Sequence, residues 1–259
     1  MTSLPARTGW QWIRQGFDLF RQQPGRLAFL FLGYMLFIVF VELIPVVGKP
    51  LTLMLLPVFG AAFMRAGARI DRGELVEPGL IVTGFRKPVF APLFKLGLLY
   101  FGVIALVVGA IMWMDDGTLA KMAQGQLDPR SPEAQSAQLW KPFLAALLIY
   151  LPATAAIAFA VPLILWRGMG VAKSMFYSFF AVWRNLRAFI MFALGWFLLF
   201  VFATQLVALF SGPKYLALAL QPVIVMFGII AQCSLYASYR QLFGTPEPDS
   251  PPPAVDTQA

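Results

Sequence analysis

Few residues in the apolar stretches of this chain could do chemistry. Glu42 is the one carboxylate within such a stretch, and Lys49 follows seven positions later, after the turn-like "IPVVGKP". A carboxylate near the end of a span is either a proton or cation site or a headgroup-level group that is paired or solvated; the structural reading is preferred. Gln205, Gln221 and Gln232 fall in two later stretches, with Thr154 and Ser234 nearby. Such groups either line a polar path or hydrogen-bond between helices, the latter for about 0.6 kcal/mol each in membranes. Interhelical bonding is again the preferred reading.

A second kind of cluster mixes aromatics with arginine. The stretch "FFAVWRNLRAFIMF" sets Trp183, Arg184, Asn185 and Arg187 among apolar residues. Arginines beside aromatics suit a nucleic-acid or phosphate site, or a membrane boundary where arginine meets headgroups.

Enzymatic groupings are sparse. The chain has no histidine and a single cysteine, Cys233, which rules out His-based catalysis and argues against the usual Cys/His zinc sites. Walker A and dinucleotide fingerprints are absent. Asp71, Glu74 and Glu77 sit among arginines in "IDRGELVEP", where a solvated loop with local ion pairs is expected. Asp115 and Asp116 read as the solvated end of a span rather than a cation site. The expectation is a protein that is not an enzyme and needs no cofactor or metal.

Composition decides what must position these residues. Of 259 residues, 59% are apolar and only 12% charged, about half the charge of soluble domains. Too few charges exist to coat a soluble surface, and the apolar runs are long and unalternated, so the fold class is an all-α polytopic membrane protein. Six transmembrane spans are predicted near residues 27–44, 50–68, 89–114, 143–166, 188–210 and 215–237. Small residues through Ala153–Ala160 mark the fourth as a close-packing, central helix. Pro57, Pro152, Pro162 and Pro222 favour kinks. Residues 241–259, rich in proline, are expected to be a disordered tail.

Lysine and arginine set the orientation. With the N-terminus inside, fourteen fall in inner segments and five, including Lys121, Lys141 and Lys214, in outer ones. That bias puts both termini in the cytoplasm, and a cleavable signal peptide is not expected. The net charge of +8 then reflects loop asymmetry and anionic lipid rather than nucleic acid.

Residues 1–26 contain an amphipathic pattern. Trp10, Trp12, Ile13, Phe17, Leu19 and Phe20 share one half of a helical wheel, and Arg14, Asp18 and Arg21 lie on the other. Thr8 and Gln11 fit a capping box, and Pro24–Gly25 ends the helix. Such a helix is expected to lie flat in the cytoplasmic interface with its tryptophans among headgroups. Comparable lead-ins precede the other odd-numbered spans: Phe20-Arg21, Phe85-Arg86-Lys87 and Trp183-Arg184. Gly168–Arg187 is long enough for a second surface helix, while "PGLIVTGF" gives only about two turns. Three copies of one unit are therefore possible, each an interfacial helix followed by a hairpin; the alternative is that membrane boundaries alone impose the pattern.

The six spans, the "GWxWxxxGFxLFRxxP" pattern of Gly9–Pro24 and "WRNLRAF" before the fifth span resemble an uncharacterised family of bacterial inner-membrane proteins. That family is similar to the YciC-like proteins and to the membrane domain fused to some glycerophosphodiester phosphodiesterases. The resemblance covers the membrane region, implies no catalytic residues, and no phosphodiesterase domain is present. Two functions follow. One is a non-enzymatic membrane protein that engages anionic lipid headgroups, or an unknown protein partner, through Trp10, Trp12, Arg14, Arg21, Arg86, Lys87, Trp183, Arg184 and Arg187. The other is a small-solute or ion transporter or channel with a path through Glu42, Lys49, Gln205, Gln221 and Gln232.

Overall fold

The computed structural model describes residues 4–114, 118–123, 125–128, 131 and 140–247. Asp115, Asp116 and the tail beyond Glu247 lie outside the described residues, as does the side chain of Lys214. The chain is all-helical among the described residues, with six helices long and apolar enough to cross a membrane. Helix α1 (Arg7–Gln22) precedes the first two spans, α2 (Pro24–Glu42) and α3 (Gly48–Asp71). A 3-10 helix, Pro78–Phe85, leads into the third span, α4 (Phe90–Met114). A short α5 (Thr118–Ala123) lies in the long loop that follows.

The fourth span is broken into α6 (Trp140–Ile157) and α7 (Ala160–Arg167). Pro162 has no N–H to give the carbonyl of Ala158, and its ring crowds the preceding turn. Ser178 stitches the break from a neighbouring helix: its Oγ donates to the carbonyl of Ala155 at 2.7 Å and accepts from the Phe159 N–H at 2.9 Å. After Gly168, which ends α7 at a left-handed φ of 58°, α8 (Val171–Arg184) leads into α9 (Leu186–Gly212) and α10 (Tyr215–Phe243). Gly212 takes φ 65°, ψ 166° between these last two spans.

Two expectations about packing are corrected. The central helix is the second span, not the fourth: 61% of the apolar window of α3 is buried against 17% for the fourth span. Gly60, Ala61, Ala62, Ala66, Gly67 and Ala68 give α3 its own run of small residues, and neighbours close in around it. A Cβ on Gly67 would strike the ring of Tyr236, and one on Gly97 of α4 would strike the Met54 carbonyl of α3. In the Ala153–Ala160 run only Phe159 and Ala160 are buried. The second correction concerns the sixth span, which continues to Phe243 because Tyr236, Tyr239 and the residues around them are buried among α1 and the other spans.

The core sits at one end of the bundle. Leu27 and Leu30, the second half of α3, Leu93 and Leu96, Phe159–Leu165, Ala188 and residues 229–239 supply most of it. This end also carries α1, the 3-10 helix, α8 and most of the arginines, and is here called the basic end. At the opposite end the spans expose nearly everything, including Val46 at 93%, Trp113 at 86% and Phe210 at 80%.

The short lead-in elements pack on the spans in a closed cycle, two of them on spans that precede them. The 3-10 helix packs on the first hairpin, where a Cβ on Gly84 would collide with the Val58 carbonyl. Helix α8 packs on the fourth span through Ser178. Helix α1 closes the cycle on the fifth and sixth spans, with Gly9 against Ala188 and Gly16 against Ser234.

Candidate lipid-headgroup interface

Helix α1 does not lie free in the interface with its tryptophans in headgroups. Trp12 is fully buried, its ring 5.0 Å from Phe189 and 5.9 Å from Phe192, and its Nε1 donates to Gln241 Oε1 at 2.6 Å. Ile13 and Leu19 are buried with it, so the apolar face expected to meet lipid meets the fifth and sixth spans instead. Gly9 and Gly16, one heptad apart on that face, permit the approach. Trp10 stays 40% exposed at the edge of this seam. The expected capping box is also absent: α1 starts at Arg7 without a side-chain cap, and Thr8 is buried in the first turn.

The polar face agrees with the sequence reading. Arg14 and Arg21 are exposed, and Arg21 pairs with Asp18 on the same helix. Arg86 and Lys87 are exposed at the junction after the 3-10 helix. At the junction of α8 and α9, Trp183 is 62% exposed, with Arg184 and Arg187 exposed beside it. The intervening Asn185 fixes this junction. Its Nδ2 donates to the Ala181 carbonyl at 2.8 Å, its Oδ1 accepts from the Leu4 N–H at 3.0 Å, and its carbonyl accepts from Ala188 and Phe189.

Other ties at the basic end were not read from sequence. The Gln23 side chain donates to the Glu74 carbonyl at 2.7 Å and accepts from the Val76 N–H at 2.9 Å, and Arg26 donates to the Val76 carbonyl at 3.0 Å. Arg167 donates to the Phe243 carbonyl at 2.6 Å. The only available signal was glutamine or arginine at a helix junction, which points to no partner in particular. Glu74 and Glu77 do form the expected local pairs, with Arg72 at 2.6 Å and Arg69 at 3.0 Å. The Arg72 hydrogen bond holds the Glu74 carboxyl below the usual glutamate range.

Asp71 departs from that expectation. It pairs with Arg240 and accepts from the Tyr236 hydroxyl at 3.1 Å, joining the ends of the second and sixth spans. The Asp71 side chain is 17% exposed, between the surface and buried limits for ion pairs. Asp71→Asn is expected to lower stability by about 1–2 kcal/mol, seen as a lower melting temperature in detergent. Glu77→Gln, at a side chain 66% exposed, serves as the near-neutral comparison.

The five residues of the other grouping are dispersed. Glu42 and Lys49 are exposed and make no ion pair with each other among the described residues. Gln205 and Gln221 are exposed on α9 and α10. Gln232 alone lines a cavity, together with Tyr100, Ala158 and Pro162. Among the described residues no three His, Cys, Asp or Glu side chains are grouped to hold a metal ion.

The arrangement offers an aromatic and cationic rim around a packed apolar end. Comparison with known proteins agrees on the setting. The chain is 34% identical over 263 residues to a probable inner membrane protein of Burkholderia thailandensis, covering 97% of this chain and 96% of the relative. No protein-family profile matches the chain, and no solved structure matches it. Full-length likeness to that relative, together with six membrane-length helices, places the chain in a family of bacterial multi-pass inner-membrane proteins.

Proposed function

We propose that this is a non-enzymatic protein whose basic end faces the cytoplasm and holds anionic lipid headgroups. The carrying observation is the α8–α9 junction, where Trp183 is 62% exposed beside exposed Arg184 and Arg187 on a backbone fixed by Asn185. A tryptophan ring suits the boundary between hydrocarbon and water, and guanidinium binds phosphate in a fork. Charge balance supports the same reading. Fourteen basic side chains stand at this end against five acidic ones, Asp18, Asp71, Glu74, Glu77 and Glu247, among the described residues. The described chain begins at Leu4 and ends at Glu247 at this end, which the positive-inside bias makes the cytoplasmic one. The succession of short element, span and span occurs three times, and internal repetition is part of the proposal.

Neutralising Arg14, Arg21, Arg184 and Arg187 together to Gln is expected to weaken retention of phosphatidylglycerol by about tenfold or more, since each surface cation contributes about 1 kcal/mol before pairing and screening. Native mass spectrometry of the protein released from mixed anionic and zwitterionic nanodiscs measures this. Unchanged retention, with loss of a co-purifying protein instead, would turn the reading toward a protein partner. The transport reading has one observation in its favour, the position of Gln232 on a cavity; nothing joins Glu42 to that cavity.

A further inference from the structure

We infer that the cavity among the second, third, fourth and sixth spans binds a neutral, single-chain amphiphile whose head is a hydroxyl. Its volume is ≈ 270 Å³, near the lower limit for small-molecule pockets. That suits a small head and part of one chain rather than a two-chain phospholipid. Two features keep the space open. Pro162 stands at the break in the fourth span, and Gly60 of the second contributes no side chain. A Cβ placed on Gly60 would meet only the methyls of Val161, at 3.8 Å.

The wall is apolar with a few hydrogen-bonding groups. The Gln232 carboxamide has no hydrogen-bond partner among the described residues. The Ala158 carbonyl lacks its helical donor because residue 162 is proline. Tyr100 lines the same wall. A hydroxyl ligand can donate to the carbonyl and accept from the carboxamide, answering two groups that hydrocarbon leaves bare. No Lys, Arg, Asp or Glu lines the cavity, so a phosphate there would be an unpaired buried charge, which the low-dielectric interior penalises. The tail has an apolar route out, because Leu56, Tyr100 and Ile157 of the wall are only half-buried. This site is separate from the arginine rim and does not depend on the lipid-headgroup reading.

Photolabelling tests the inference on the full chain in zwitterionic nanodiscs. The probe is dodecanol carrying a diazirine and an alkyne, with the matched dodecane and dodecyl phosphate as comparisons. The alcohol is expected to label peptides around Gly60, Ala158 and Gln232, and excess plain dodecanol to displace it. Gly60→Leu fills the space and should abolish that labelling, whereas Gly60→Ala, which fits beside Val161, should keep most of it. Gln232→Leu should lower labelling by the alcohol about fivefold, the loss of roughly one hydrogen bond. Equal labelling of Gly60→Leu and the unaltered chain overturns the inference. So does failure of dodecanol to compete in the unaltered chain, or equal labelling by dodecyl phosphate.

Discussion

Trp12→Ala is expected to destabilise the protein by about 3–5 kcal/mol, the cost of emptying a large buried aromatic site. The ring is fully buried between Phe189 and Phe192, and truncation also orphans Gln241 Oε1. Collapse around the void is hard, because α1 already touches the backbones of the fifth and sixth spans at Gly9 and Gly16. Trp183→Ala, at a 62% exposed ring, should leave stability nearly unchanged and weaken the membrane boundary contact. Thermal unfolding of the purified variants in detergent separates them. Equal, small shifts for both would mean that Trp12 sits among headgroups and that α1 is not docked.

Gly97→Val is the second large effect, with a loss of about 3 kcal/mol or more, at or above the usual range for overpacking. The new Cβ would fall on the carbonyl of Met54, with the Met54 Cα 2.9 Å away. These are backbone atoms of the central helix, so no rotamer change relieves the collision and α3 and α4 must part. Gly102→Val and Gly109→Val, on the same helix with no atom within 4 Å of the added Cβ, provide the comparison. Similar yield and melting temperature for all three would disprove the close crossing of α3 and α4.

The spans were legible because hydrocarbon demands a length and composition that the chain states directly: the expected 89–114 is Phe90–Met114. Lead-in elements were legible too, down to the two-turn Pro78–Phe85, since proline, glycine and arginine punctuate helix ends. Partners were not legible. Asp71 read as a loop acid and is the link to Arg240; Ser178 read as one residue of a surface helix and repairs the break in the fourth span. Each bond joins residues distant in sequence, and neither partner's type specifies the other.

The sequence alone determined that this protein crosses the membrane six times, keeps its arginines at one end and carries an amphipathic helix before the first span. It did so because burying a charge or an unpaired backbone group in hydrocarbon is so costly that composition and run length must obey. Only the tertiary structure decided which apolar faces meet lipid and which meet protein. Lipid tails and a helical core are almost equally apolar solvents, so Trp12 in a seam and Trp183 at a surface look alike in the chain. Shape separates them: Gly9, Gly16 and Gly97 let backbones touch, and a close approach exists only once both helices are in place.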